Sequence, residues 1–149
     1  MPETAVVTAT AFASASRAVQ QQLQGVSPHI FGNRSRVVPQ QMPTAIAVHL
    51  QASRREPSAG VNAWALWQTA MTVECYARQR VGVEVEEAID QLLSAAIAAL
   101  EADRTLGGVV GDLQLTGLDW DFDADGEKTA CATATFTVRH RTGFTNLNQ

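Results

Sequence analysis

The spacing of apolar residues changes period several times along this chain, and each change marks an element. From Ala9 to Gln24, Phe12, Ala15, Val19 and Leu23 recur every three or four positions, which predicts one buried face of a helix with Gly25 as its stop. No period persists through residues 26–43, where Pro28, Gly32, Pro39 and Pro43 interrupt the chain and Arg34 and Arg36 add charge. This stretch reads as a long basic loop, a candidate contact element by its length. Thr44 to Gln51 alternates, with Ile46, Val48 and Leu50 against Ala45, Ala47 and His49, and predicts a strand. Residues 52–61 read as a polar connection carrying Arg54 and Arg55. Ala63 to Arg78 is rich in β-formers and predicts a second, antiparallel strand. One of its faces holds Trp67, Thr69, Met71, Val73, Cys75 and Ala77; the other holds Gln68, Thr72, Glu74, Tyr76 and Arg78.

The helical period returns from Glu84 to Asp103, where Val85, Ile89, Leu92, Leu93, Ala96, Ile97 and Leu100 keep one stripe through five turns. Three Glu residues at its start suit the positive end of the macrodipole, and Gly107-Gly108 follow its end. Ala95, Ala98 and Ala99 form a small face open to a close neighbour. Val109 to Phe122 alternates imperfectly, with Leu113, Leu115, Leu118 and Trp120 inward, up to an acidic turn at Asp123-Ala124-Asp125-Gly126. A last strand alternates cleanly, Ala130, Ala132, Ala134, Phe136 and Val138 against Thr129, Cys131, Thr133, Thr135, Thr137 and Arg139. The order α-β-β-α-β-β predicts an α+β fold, a mainly antiparallel four-stranded sheet packed against two helices.

At 149 residues the chain suits a single domain, since surface scaling buries about two-thirds of the extended area without a disulfide or metal. Its ordered core is expected over about residues 9–141, with 1–8 and 142–149 as flexible or interface arms. Of the 46% hydrophobic residues 24 are alanine, so the large apolar side chains number only 44, enough for one core and no more. With charge at 17%, the surface must be built largely from Thr, Gln, Ser and Ala, which suits contact with other protein. The net charge of −4 hides a split: residues 1–80 hold seven Arg against three acids, and residues 81–149 four bases against twelve acids. If the two halves face opposite ways, subunits can stack with a fixed polarity. The acid in Met-Pro-Glu argues against a signal peptide, and the least charged stretch, Pro57 to Val73, is too short and polar to span a bilayer, so a cytosolic product without a membrane segment is expected.

Catalytic and metal motifs fare poorly. Asp121-Phe122-Asp123-Ala124-Asp125-Gly126 imitates the first half of a calcium loop, but the position that needs a bidentate Glu is Ala132. A hairpin tip of solvated acids explains the same residues, with a weak calcium site as the alternative. His29, His49 and His140 are far apart in sequence and lack a nucleophile motif. Gly107-Gly108-Val109-Val110-Gly111 follows a helix instead of opening one, so no helix N-terminus points at a phosphate. Cys75 and Cys131 form no CxxC. Arg34, Arg36, Arg54 and Arg55 make a basic patch, but with one Lys and a pI of about 5.3 acidic protein partners fit it better than DNA. No enzyme, cofactor or metal is expected.

The arrangement of a leading helix, the Pro-flanked strand Met42-Pro43-Thr44-Ala45-Ile46-Ala47-Val48, a long strand across Ala63 to Arg78, an acid-led helix, Leu106-Gly107-Gly108-Val109-Val110 and a last Thr/Ala strand ending Thr137-Val138-Arg139-His140-Arg141-Thr142 resembles the tail terminator, or tail completion, proteins of long-tailed phages. The resemblance covers roughly residues 9–142 and rests on arrangement, since no single element is diagnostic. It implies a structural virion protein without catalysis, a hexameric homo-oligomeric ring at the head-proximal end of the tail tube. Such a ring ends tube polymerisation and offers a joint to the head and neck. The implied partners are other copies of the chain, the tail tube protein and head–tail connector or neck proteins, with DNA only passing through the lumen and no membrane. It also implies a place in the virion, after assembly in the host cytoplasm. Arg34, Arg36, Arg54, Arg55, Ala95, Ala98, Ala99, Arg139 and Arg141 are the candidate assembly-interface residues. Another connector, neck or tube component is the nearest alternative, and a small ligand- or metal-binding domain using the acidic tip or a pocket beside Trp64 and Trp67 is a distant one.

Overall fold

A computed structural model describes residues 9–32, 43–57, 64–79, 82–122, 129–143 and 146–148. Helix α1, Ala11–Gln22, opens where Thr10 Oγ1 accepts the amide of Ala13 at 3.2 Å. It buries Ala11, Ala15, Ala18 and Val19, and Gly25 turns the chain away at φ +91°. Helix α2, Val85–Glu101, carries Glu86 and Glu87 in its first turn and buries Ala88, Ile89, Leu92, Leu93, Ala96 and Leu100. Its exit is a tight turn in which the Asp103 carboxylate accepts from the Thr105 hydroxyl, the Thr105 amide and the Gly107 amide, at 2.9, 3.2 and 2.7 Å. These bonds hold the Asp103 carboxyl below the usual range, the Thr105 side chain contributing most. Leu106, Gly107 and Gly108 are all left-handed, and burial of the Leu106 side chain offsets the strain of a non-glycine residue at φ +52°.

Five strands form one mixed sheet in the order β1-β2-β3-β5-β4. They are β1, Ile30–Gly32; β2, Thr44–Arg55; β3, Trp64–Arg78; β4, Asp112–Phe122; and β5, Thr129–Gly143. The α+β class and the two helices are as the sequence predicts, while the sheet differs from the four-stranded antiparallel expectation. Within the expected loop 26–43, Ile30–Gly32 pairs parallel with Ile46–Val48. Three residues are too few for alternation to show, and the partner that makes them a strand lies elsewhere in the chain. The expected connection 52–61 also gives way, because β2 runs on to Arg55 through a bulge at Gln51, and Ala52 to Arg55 pair with Ala70 to Trp67. A second bulge at Thr116 explains why β4 alternates imperfectly. At the other end of the chain β5 continues to Gly143, and Leu147 O accepts the amide of Ala11 at 2.8 Å.

Both helices pack on one face of the sheet. Ile46 and Val48 from β2, Met71, Val73 and Cys75 from β3, Leu113 from β4, and Ala132, Ala134, Phe136 and Val138 from β5 line that face and are buried beneath α1 and α2. The helix-side face is buried almost end to end along the two central strands, from Thr69 to Ala77 on β3 and from Ala130 to Thr142 on β5. What stays uncovered is the open face and the far half of the edge strand β4, whose Trp120 is exposed although it lies level with buried Ala132. Among the described residues no helix lies on the opposite, open face, and none is long and apolar enough to cross a membrane.

Candidate assembly surface

Strand pairing sets functional side chains in rows on the open face, at the end of the sheet where β2 finishes. Arg54 pairs with Gln68, Gln68 with Arg139, and Arg139 with Asp112, placing these four residues across four strands. In the next row the Glu56 amide donates to Leu66 O, and Leu66 pairs with Arg141. The Glu56 carboxylate accepts from Gln68 Nε2 at 2.7 Å and from Arg139 at 3.1 Å, and these bonds, the Gln68 one first, hold its carboxyl below the usual range. Asp112 is paired likewise with Arg104 at 3.1 Å. The Arg141 guanidinium lies 4.4 Å from the ring centre of Trp64, and neither Arg54 nor Arg141 has an acid partner among the described residues. Trp64 and Leu66 project here at 44% and 45% exposure, unusual for apolar side chains of that size on a strand.

Beneath this end, on the helix side, lies a polar cluster whose Thr69, His140 and Thr142 are buried while Ser53 stays exposed. Thr69 Oγ1 lies 2.6 Å from His140 Nε2 and 2.8 Å from Ser53 Oγ. Phe12 sets its edge against both His140 and Trp67, and Trp67 Nε1 donates to Thr142 Oγ1 at 2.8 Å. Burial lowers the pKa of His140 from its ordinary value, and its Nδ1 has no hydrogen-bond partner. Nothing here makes a nucleophile, since Thr69 is buried; the cluster anchors the start of β3 to the end of β5.

A notch of about 540 Å³ opens beside this end. Gly111 N donates to Arg139 O at 2.7 Å, and β4 begins one residue later, so among the described residues β5 from His140 to Gly143 has no strand on that side. Trp64, Leu66, Arg139, Arg141 and the segment Gly108–Asp112 line the space.

The opposite end of the sheet carries most of the acids of the open face, with Arg78 beside them at the end of β3. Tyr76 OH donates to Glu74 Oε2 at 2.6 Å, and His49 Nε2 approaches the same oxygen at 3.4 Å. Burial, and then the bond to Glu74, push the Tyr76 hydroxyl far above its usual pKa. Cys75 is pushed up to about 12 and Cys131 to about 11, in both cases mainly by burial, so both stay thiols at neutral pH. The two sit on opposite faces of the sheet, Cys75 level with Ala132 and Cys131 level with Tyr76. On β4, Asp119 and Asp121 lie on the open face, while Leu118, Trp120 and Phe122 point to the helix side beyond the reach of α2, at 36%, 51% and 48% exposure. The expectation that Leu118 and Trp120 face inward is met in direction and not in burial. Among the described residues no group of three His, Cys, Asp or Glu converges as metal ligands do.

The structure thus joins Arg54, Arg139 and Arg141 and separates the other candidates. Arg55 falls on the helix side, 5.5 Å from the ring centre of Trp67, because the bulge at Gln51 inverts the alternation after it. Ala95 and Ala98 are exposed on α2, across the sheet from the Arg rows, while the carbonyl of half-buried Ala99 accepts from Gln22 Nε2 of α1 at 3.0 Å. Arg34 and Arg36, and the acidic turn Asp123–Gly126, lie outside the described residues. Gln68 was legible on the wetter face of its strand and Glu56 in a polar stretch, and the notch does lie beside Trp64 and Trp67, but the exposure of Trp64 and Leu66 was not legible, since the run Trp64-Ala65-Leu66-Trp67 is apolar on both faces. The opposed charge of the two halves of the chain does not become two opposed surfaces either. Antiparallel pairing interleaves the halves, and polarity runs along the strands instead.

No family model and no curated protein sequence matches this chain. The fold, however, has a solved counterpart. It is similar to the PVC sheath/tube terminator of an extracellular contractile injection system, seen by cryo-EM in its extended state. The TM-score is 0.50 at 12% identity, over 99% of this chain and 61% of that one, so this chain spans about three-fifths of that protein's length. At this identity the likeness concerns the fold. A terminator-like fold is what the order of elements led the sequence to resemble.

Proposed function

We propose that this chain is a terminator subunit of a phage tail or a related injection machine, which closes into a ring of six copies on the head-proximal end of a tail tube. The ring stops the tube from growing and gives the head or neck a surface to join. The observation that carries the reading is the terminator-like fold along 99% of the chain. A sheet with an uncovered face and an uncovered edge strand, where large apolar and charged side chains project, supports it further. The role is structural, with no enzyme activity, cofactor or metal. Its partners are other copies of the chain, the tube and the neck, with a sheath where the tail is contractile, and DNA passes only through the lumen. The particle is its place of work, after assembly in the bacterial host cytoplasm.

The test is to add the purified protein to tube subunits as they polymerise and measure tube lengths by negative-stain microscopy. Short tubes bearing extra density at one end are expected. Unchanged lengths with bare ends would overturn the reading. Gold labelling of assembled particles separates a terminator at the tube end from another neck component of similar fold.

A further inference from the structure

Two unfinished regions of this molecule match each other. The first is the notch at the basic end, where β5 keeps an open edge from His140 to Gly143 beside Arg139, Arg141, Trp64 and Leu66. The second is the far half of β4, an edge strand of the sheet, whose residues Leu118, Trp120 and Phe122 on one side and Asp119 and Asp121 on the other are exposed. These two places hold five of the six exposed large hydrophobics among the described residues. An open strand edge is a template for another strand, and exposed apolar residues concentrated at two places mark contact surfaces. We propose that the notch receives residues Leu118–Phe122 of a second copy of this chain, so that copies join head to tail through one sheet continued from β5 of one subunit to β4 of the next.

Charge selects this occupant. The open face at the notch carries Arg141 without an acid partner among the described residues, with Arg54 two strands away on the same face, and the open face of β4 carries Asp119 and Asp121. Because β4 alternates with period two, a strand laid against the free stretch of β5 with an acid over Arg141 turns Trp120 and its neighbours to the helix side, where Trp67 and Val110 line the wall. One subunit cannot fill its own notch with these residues, since they are held along β5 at the other end of strands about 50 Å long. A contact between two different patches is heterologous, and it closes into a ring or continues as a filament. The inference deepens the proposed function by naming the surface through which one subunit would hold the next.

The experiment uses the whole chain and two charge variants, Asp119→Arg with Asp121→Arg, and Arg139→Gln with Arg141→Glu, the Gln keeping a donor for Glu56. Mass by light scattering at low salt is expected to show wild-type association that rises with concentration. Each variant alone should associate roughly a hundredfold more weakly or worse, from like charges brought together. An equimolar mixture should recover association, because each altered patch then meets its complement on the other variant. Three results would overturn the proposal: a wild-type protein still monomeric at about 1 mM, variants that associate as wild type does, or a mixture that stays monomeric while both variants keep wild-type unfolding midpoints. The tube-capping assay is read separately. Head-to-tail association without capping sinks the ring function and leaves this contact standing, and capping by a protein that fails here does the reverse.

Discussion

The covered face of the sheet and its uncovered parts, the open face and the edge strand β4, are built from neighbouring strands but obey different rules. On the covered face, Met71, Val73, Ala134 and Phe136 lie beneath the helices at 1% exposure or less. On the open face Trp64 is at 44%, and on β4 Trp120 is at 51% although it lies level with fully buried Ala132. Among the described residues no helix lies on the open face, and the helices pack on β2, β3 and β5 more than on the edge strand. Residues of the covered face answer for stability, while those of the open face and the edge strand stay in water.

Four measurements can break or sharpen that contrast. The largest effect belongs to the covered face: Phe136→Ala should lower unfolding free energy by about 3–5 kcal/mol in urea titration, through lost burial and the cavity left behind. A loss under about 1 kcal/mol would mean the helices do not seal the sheet. Thr69→Val comes next, at about 1–3 kcal/mol, because it strips the hydroxyl from buried His140 Nε2 when Nδ1 already has no partner.

Acidity acts on the same group. The folded pKa of His140 is depressed by burial, so its stabilising contribution is complete above the unfolded value, about 6.5, and is lost as pH falls below that toward the depressed folded value. Urea midpoints between pH 7.5 and pH 5 should decline, and His140→Gln should flatten the part of the decline that this histidine causes. On the edge strand, Trp120→Ser should change stability by no more than about 0.5 kcal/mol, as surface substitutions do, while weakening self-association. A loss of stability comparable to that of Phe136→Ala would show that Trp120 belongs to the core after all and would erase the distinction.

Much of the fold was legible because its elements are long. Both helices, β3 and β5 carry enough repeats of their period to be read from spacing alone, and the packed face of β3 was assigned residue by residue. β1 was not legible, because three residues hold no period and their identity as a strand comes from pairing with Ile46–Val48. The extension of β2 was hidden for another reason. Ala-Ser-Arg-Arg is polar, and its strand conformation is set by hydrogen bonds to β3 across the bulge. The candidate surface shows the same division. Arg54, Arg139 and Arg141 stood out singly as exposed charges, but only pairing through Gln68 and Leu66 gathers them in adjoining rows and sends Arg55 to the other face.

What the sequence by itself determined is the α+β class, the two amphipathic helices, the long strands and the resemblance to tail terminators, because all of these follow from local period and order. What tertiary structure decided is the sheet order, the parallel edge strand, the axis along which charge is separated, and which apolar residues stay in water. Those depend on which distant segments pair and on which strands and which face the helices cover, and neither is written in any one window of sequence.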